Sequence, residues 1–123
     1  MAGTGARGEM TFKAGDREVT VLYTNRALAG AEKRIGKGIV AVAQGLVDGS
    51  SGLGDIAILL QVGMEASRVD TKAGGNQVSL DQAYAVMDLA GFAGVASPVM
   101  EAVAAVLGYT NGAEAGSAPD PNA

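Results

Sequence analysis

Glycine is the residue that most limits what this sequence can fold into. The chain has 19 glycines among 123 residues, about twice the usual share, and they recur along its whole length. Because a glycine inside a helix costs about 1 kcal/mol relative to alanine, helices are expected to begin and end near glycines. The spacing therefore predicts several short helices rather than one long one.

The composition predicts one domain with a core of aliphatic side chains. Apolar residues make up 48% of the chain and aromatic residues only 4%, so the core must be built from alanine, valine, leucine, isoleucine and methionine. We expect a flexible leader in residues 1–7, a single domain in 8–109, and a disordered tail in 110–123, where proline and glycine replace apolar residues.

Two features of the sequence predict the cellular compartment of the protein. No uninterrupted apolar run reaches the roughly 18 residues that a membrane-spanning helix needs, and the first ten residues lack the apolar segment of a signal peptide. We therefore expect a protein of the cytoplasm that has no membrane partner.

Composition also excludes several kinds of chemistry. The chain has no cysteine and no histidine, which removes disulfides, thiolate nucleophiles, imidazole bases and Cys/His zinc sites. The spacing of the carboxylates brings no two of them into a defined pocket, and the net charge of −4 disfavours nucleic acid as a partner. We expect no catalytic residue, no cofactor, no metal and no enzyme activity.

Alternating apolar residues near the N-terminus predict a β-hairpin. Gly15 and Asp16 separate two alternating segments and suit a two-residue turn with glycine in its first position. One face of the hairpin is apolar and must lie against helices, since an isolated hairpin is marginally stable. The residues of that face are Met10, Phe12, Ala14, Val19, Val21 and Tyr23.

The segment LAGAEKRIGKG raises the question of a phosphate-binding loop. A Walker loop needs a glycine five residues before Gly36, where this chain has Ala31, and a hydroxyl residue where it has Gly38. The same residues suit the end of a helix that Thr24 or Asn25 would cap and that Gly36 would stop. We therefore predict a helix ending at Gly36.

Capping residues and apolar spacing predict four further helices. The second begins at about Lys37, and the third spans roughly 55–69 and is apolar nearly all round. Ser79 and Gln82 form a capping box for the fourth, and the pair Ser97-Pro98 opens the fifth, since proline favours the first helical position. The fold class is therefore α+β, mainly α, with an N-terminal β-hairpin packed on about four to five short helices.

The first helix carries a basic group, made of Arg26, Lys33, Arg34 and Lys37. Such a group could bind an acidic segment of a partner. Scattered charges on a helix are more often a solvated surface, which is the interpretation we adopt from the sequence.

Over about residues 8–108 the order of elements resembles the tail assembly chaperones of long-tailed bacteriophages and gene transfer agents, in particular the short type of the gene-transfer-agent class. The segment NRALAGAEKRIGKG is similar to that family's Leu-x3-Glu-x3-Gly opening through Leu28, Glu32 and Gly36.

Two later segments extend the similarity. GDIAILLQVGM resembles the family's apolar helix that begins with aspartate, here Asp55. VSLDQAYAVMDLAG resembles the next helix, which closes with Asp-x2-Gly at Asp88 and Gly91, and a final helix follows. We expect the six motif residues to have structural roles.

The resemblance implies a protein that is not an enzyme and acts in the cytoplasm of the infected or producing cell. It would bind the tape-measure protein, keep it soluble, recruit the tail-tube protein and leave before the particle matures. Self-association is left open. The candidate contact residues lie on the third and last helices, at Ile58, Val62, Val99 and Met100.

The alternative is a structural tail or head–tail connector subunit that stays in the particle. A third option is a small helical regulator or an antitoxin-like adaptor, and the negative charge disfavours a regulator that binds DNA. The sequence leaves these functions to experiment.

Overall fold

A computed structural model describes residues 8–108, and the leader and tail predicted for 1–7 and 110–123 lie outside them. The α+β, mainly α class is confirmed, with about two thirds of the described residues helical. Two strands precede four helices, and their bounds are β1 Gly8–Ala14, β2 Arg17–Tyr23, α1 Asn25–Ile35, α2 Ile39–Asp48, α3 Leu53–Asp70 and α4 Leu80–Leu107.

The predicted hairpin is confirmed. β1 and β2 are antiparallel, and the register pairs Met10 with Val21 and Phe12 with Val19, which places the predicted apolar residues on one face. Gly15 has a φ of 63° and Asp16 has a negative φ, so positive φ falls only on the first turn residue, as expected for a type II′ turn.

The predicted bounds of α1 are also confirmed. The Thr24 hydroxyl accepts a hydrogen bond of 3.1 Å from the Ala27 amide. Gly36 ends the helix in the left-handed conformation at φ 87°, and its amide donates to the Glu32 carbonyl. The Gly-Lys-Gly sequence is therefore the end of a helix.

The core lies between the hairpin, α3 and α4. β1 packs mainly on α4, and β2 packs on α3. The Tyr23 hydroxyl is buried and donates a 2.7 Å hydrogen bond to the Leu59 carbonyl, and burial raises the pKa of Tyr23. A Cβ on Gly63 would lie 2.6 Å from the Tyr23 ring, so only glycine lets α3 approach β2 this closely.

One side of α3 is buried in the core. The buried residues of this helix are Ile56, Ala57, Leu59, Leu60, Gly63 and Ser67.

The prediction that a fifth helix opens at Ser97-Pro98 is wrong. α4 runs from Leu80 to Leu107 with a kink at Gly91, where φ is 81° and ψ is 160°. The second half of α4 begins directly after this kink, and Pro98 lies inside it. The helix tolerates Pro98 because burial of apolar residues on both sides, including Val95 and Val99, offsets the hydrogen bond that proline cannot make.

α4 is long and apolar enough, by length and composition alone, to cross a membrane. It has this length because it joins two segments that were predicted as separate helices, and the expectation of no membrane partner stays a prediction. A third of its most apolar 18-residue stretch is buried within the protein, and nine residues of α4 belong to the buried set. The core helix of a globular fold has the same properties.

Candidate functional site

A groove on the described surface lies between α1 and α3, beside the end of β2. Its volume is about 480 Å³, within the usual range for ligand and peptide sites. We call it the α1–α3 groove. It is lined by Leu22, Thr24, Arg26, Ala27, Gly30, Arg34, Gln61, Val62, Glu65, Ala66, Val69, Asp70 and Gln77.

Several of the residues that line this groove are small or apolar. They include Ala27 and Gly30 on α1 and Ala66 on α3. Val69 is 59% exposed at one end of the groove. An exposed apolar side chain beside a concave apolar surface is typical of a binding site.

No contact within the described fold requires glycine at position 30. Gly30 lies in the middle of α1 at negative φ, and a Cβ built on it would have no atom of residues 8–108 within 4 Å beyond its chain neighbours and its own helix backbone. Glycine at such a position costs about 1 kcal/mol relative to alanine. Its effect on the surface is to let another chain approach the backbone of α1 closely.

Charged residues stand on both rims of the α1–α3 groove. Arg26 and Arg34 belong to α1, are exposed, and form no ion pair with any residue in the range 8–108. Glu65 and Asp70 belong to α3, and neither of them is without a partner. The charged lining residues that have no ion-pair partner within residues 8–108 are therefore Arg26 and Arg34, both on α1.

Glu65 is held by two partners. Its carboxylate accepts hydrogen bonds of 2.8 and 2.7 Å from the Arg68 guanidinium and one of 2.9 Å from the Val78 amide. The bond from Arg68 is the main cause that lowers the pKa of Glu65 to about 2, and the Val78 amide lowers it further. Glu65 therefore stays negative and joins α3 to the loop before α4.

Gln61 makes a second link to the same loop. Its side-chain amide donates a 2.9 Å hydrogen bond to the Val78 carbonyl. Its Oε1 atom is buried and has no hydrogen-bond partner among the described residues. The two links from α3 fix the position of Val78 and hence the start of α4.

A smaller groove lies between α2 and the last turns of α4. Its volume is about 270 Å³, and we call it the α2–α4 groove. Val47 beside it is 76% exposed. No charged residue lines it, and its lining is Val40, Ala43, Gln44, Val47, Met100, Val103, Ala104 and Leu107.

The structure separates the four residues predicted to contact a partner. Val62 lines the α1–α3 groove and Met100 lines the α2–α4 groove, and both are half-buried. Ile58 is half-buried and lines neither groove. Val99 is fully buried and belongs to the core cluster, so its assignment to a contact surface is wrong.

Three of the family-motif residues belong to α1 and its C-cap, and two of them, Glu32 and Gly36, form the corner between α1 and α2. Leu28 is buried in the core, and Gly36 ends α1. The Glu32 carboxylate accepts a 2.7 Å hydrogen bond from the Ile39 amide, the first of the unpaired amides at the start of α2. This contact fixes the angle at which α2 leaves α1.

The other three motif residues lie at helix ends or at the kink. Asp55 is in the first turn of α3, where its charge suits the helix dipole, and pairs with Lys37 at 3.1 Å. Asp88 is exposed on α4, and Gly91 forms the kink of that helix. Lys37 of the basic group is therefore paired, whereas Arg26 and Arg34 face the groove.

Most of the α1–α3 groove was not predicted from the sequence. Val62 was predicted as a contact residue, and Arg26 and Arg34 as members of a basic group, but the three were not predicted to lie in one site. A signal was present: Arg26, Gly30 and Arg34 follow one another at intervals of four residues and so share one face of α1.

Neither family models, nor curated proteins, nor solved structures give a match to this chain. In the described part of the chain, no group of three or more acidic residues is arranged to hold a metal ion.

Proposed function

We propose that this protein is a tail assembly chaperone of a long-tailed bacteriophage or gene transfer agent. It binds the tape-measure protein in the cytoplasm of the producing cell, keeps it soluble and helps to recruit tail-tube subunits. It is not an enzyme, and it is released before the particle matures.

The α1–α3 groove is the observation that carries this proposal. A tape-measure protein exposes long amphipathic helices, and helix-in-groove binding needs a concave apolar surface with polar rims. α1 has 11 residues and is about 16 Å long, so the groove beside it can cover about three turns of a client helix.

The small size of the groove suits a chaperone that must be displaced. One contact of about three helical turns binds weakly, and many copies along one long client bind strongly in total through multivalency. Tail-tube subunits can then remove the copies one at a time. The resemblance of residues 8–108 to the chaperone family supports the same function independently of the groove.

Co-expression with the tape-measure protein encoded nearby tests the proposal. The expected result is a soluble tape-measure protein that co-elutes with many copies of this chain, measured by pull-down and by size-exclusion chromatography with light scattering. The same measurement on the chain alone reports self-association.

Gly30→Leu is the variant that tests the groove. It places a large side chain in open space on the surface of α1, so the fold is expected to remain intact while the groove is filled. Ala29→Leu is the matched control, because Ala29 is exposed on the same helix and does not line the groove. Capture of the tape-measure protein should be lost with Gly30→Leu and retained with Ala29→Leu.

Two results would contradict the proposal. One is a tape-measure protein that stays insoluble while this chain elutes alone. The other is the presence of this chain in purified particles at the copy number of a structural subunit, which would favour a tail or head–tail connector component.

A further inference from the structure

The charged residues that line the α1–α3 groove differ in their ion pairing between the α1 side and the α3 side. On the α3 side, Glu65 is paired with Arg68 at 2.7 Å, and Asp70 also has an interaction. The α1 rim carries two exposed arginines, Arg26 and Arg34, without an ion-pair partner in residues 8–108.

We infer that the α1–α3 groove binds an amphipathic helix whose flank facing α1 is acidic. Carboxylates on that flank would pair with Arg26 and Arg34, and the apolar face of the helix would lie on Ala27, Val62 and Ala66. This inference rests on the proposed function for the groove and adds the charge and orientation of the client segment.

The spacing of the arginines sets the spacing of the carboxylates. Arg26 and Arg34 are eight residues apart on one face of α1, which corresponds to about 12 Å along the helix axis. A client helix that lies along α1 matches this distance with two acidic residues seven or eight positions apart. Arginine suits this role because its planar guanidinium binds a carboxylate through two hydrogen bonds.

Gly30 lies midway between the two arginines. Because nothing on the described chain occupies the space beside it, the client backbone can approach α1 closely there and bring both carboxylates within reach of the guanidinium groups. The flanking arginines then act on the register of the client helix as well as on its affinity.

The neighbouring basic residues do not share this position. Lys37 pairs with Asp55 at 3.1 Å, and Lys33 is exposed on α1 but does not line the groove. Lys33 is therefore the matched control for Arg34: it is adjacent in sequence, lies in the same last turn of α1, and undergoes the same change in charge when replaced by glutamate.

The test uses the full chain and two blocked synthetic peptides of 18 residues with an amphipathic helical sequence. The peptides differ at two flank positions seven residues apart, which carry glutamate in one peptide and lysine in the other. Binding is measured by fluorescence anisotropy at low and at physiological salt, with the wild-type chain, Arg26→Glu, Arg34→Glu and Lys33→Glu.

The glutamate peptide should bind more tightly than the lysine peptide. Arg26→Glu and Arg34→Glu should each lower the affinity for the glutamate peptide by about three- to tenfold, as expected for rim charges. Lys33→Glu should change that affinity by no more than about twofold. The difference in affinity between the arginine variants and the wild-type chain should shrink at higher salt, because salt screens the charges.

The inference would be overturned if the two peptides bound with equal affinity. It would also be overturned if Lys33→Glu and Arg34→Glu lowered the affinity for the glutamate peptide equally. Failure of both peptides to bind a chain that still solubilises the tape-measure protein would also overturn it and leave the proposed function standing. Tight binding of the glutamate peptide without capture of the tape-measure protein would support the inference and reject the proposed function.

Discussion

Glu65 shows how one side chain connects two elements of this fold. Its carboxylate accepts hydrogen bonds from the Arg68 side chain and from the Val78 amide, so it joins α3 to the loop that leads into α4. It also belongs to the lining of the α1–α3 groove. A change at Glu65 therefore acts on stability and on the rim of the groove together.

The lowered pKa of Glu65 predicts a dependence of stability on pH. A carboxyl group whose pKa falls from 4.5 to about 2 on folding stabilises the protein fully above pH 4.5, and this contribution is lost as the pH falls from about 4.5 to about 2. Glu65→Gln should lower the urea midpoint at pH 7, and the difference from wild type should shrink across that window.

Glu101→Gln is the control for this prediction. Glu101 is exposed on α4 and forms no ion pair or side-chain hydrogen bond within the described chain, so the change should leave the midpoint at pH 7 unaltered. A difference between wild type and Glu65→Gln that stays constant from pH 7 to pH 2.5 would refute the argument.

Gly91 in α4 and Gly30 in α1 are expected to affect the stability of their helices in opposite ways. Gly91 divides α4 and has φ 81° and ψ 160°, a region that residues with a side chain rarely adopt. Gly30 lies in α1 at ordinary helical dihedrals. Neither glycine has a neighbour within 4 Å that a Cβ would meet, so the two positions differ in backbone conformation and not in crowding.

Substitution by alanine should therefore change stability in opposite directions. Gly91→Ala should lower the free energy of unfolding by about 1–3 kcal/mol, the cost of this strained conformation. Gly30→Ala should raise it by about 0.5–1 kcal/mol through helix propensity. Urea denaturation followed by circular dichroism measures both.

A Gly91→Ala variant as stable as wild type would mean that α4 can run straight through residue 91. The Gly30→Ala variant serves as the internal control, since both changes add the same methyl group to a helix.

At the scale of the whole molecule, the fold is organised around the packing of the hairpin on α3 and α4. β1 packs on α4 and β2 packs on α3, so the core joins the first 16 described residues to the last. Val99 and Met100 are adjacent in α4 but have different roles: Val99 is fully buried, and Met100 lines the α2–α4 groove.

Replacing each of these two residues by aspartate should show which of them is a core position, because only the core substitution should unfold the protein. Val99→Asp buries an unpaired charge at a cost of several kcal/mol, comparable to the total stability of a small domain, so the helical circular dichroism signal should be lost at 25 °C. Met100→Asp should keep the helical spectrum, because the carboxylate can reach water. A folded Val99→Asp variant would contradict the description of the core.

Much of the fold could be predicted from the sequence because its signals are local. Alternation of apolar residues defines the hairpin, Thr24 and Gly36 bound α1, and Ser79 with Gln82 starts α4. Each of these signals acts within a few residues through a turn or a helix cap, so no knowledge of distant parts of the chain is needed.

Only the tertiary structure decided which apolar residues are buried and where the grooves lie. Val99 and Met100 look alike in sequence, and burial depends on the position of the hairpin about 80 residues earlier. Arg26 and Arg34 likewise line a groove only because α3 lies beside α1, since a groove is made by the separation of two helices and not by either helix alone.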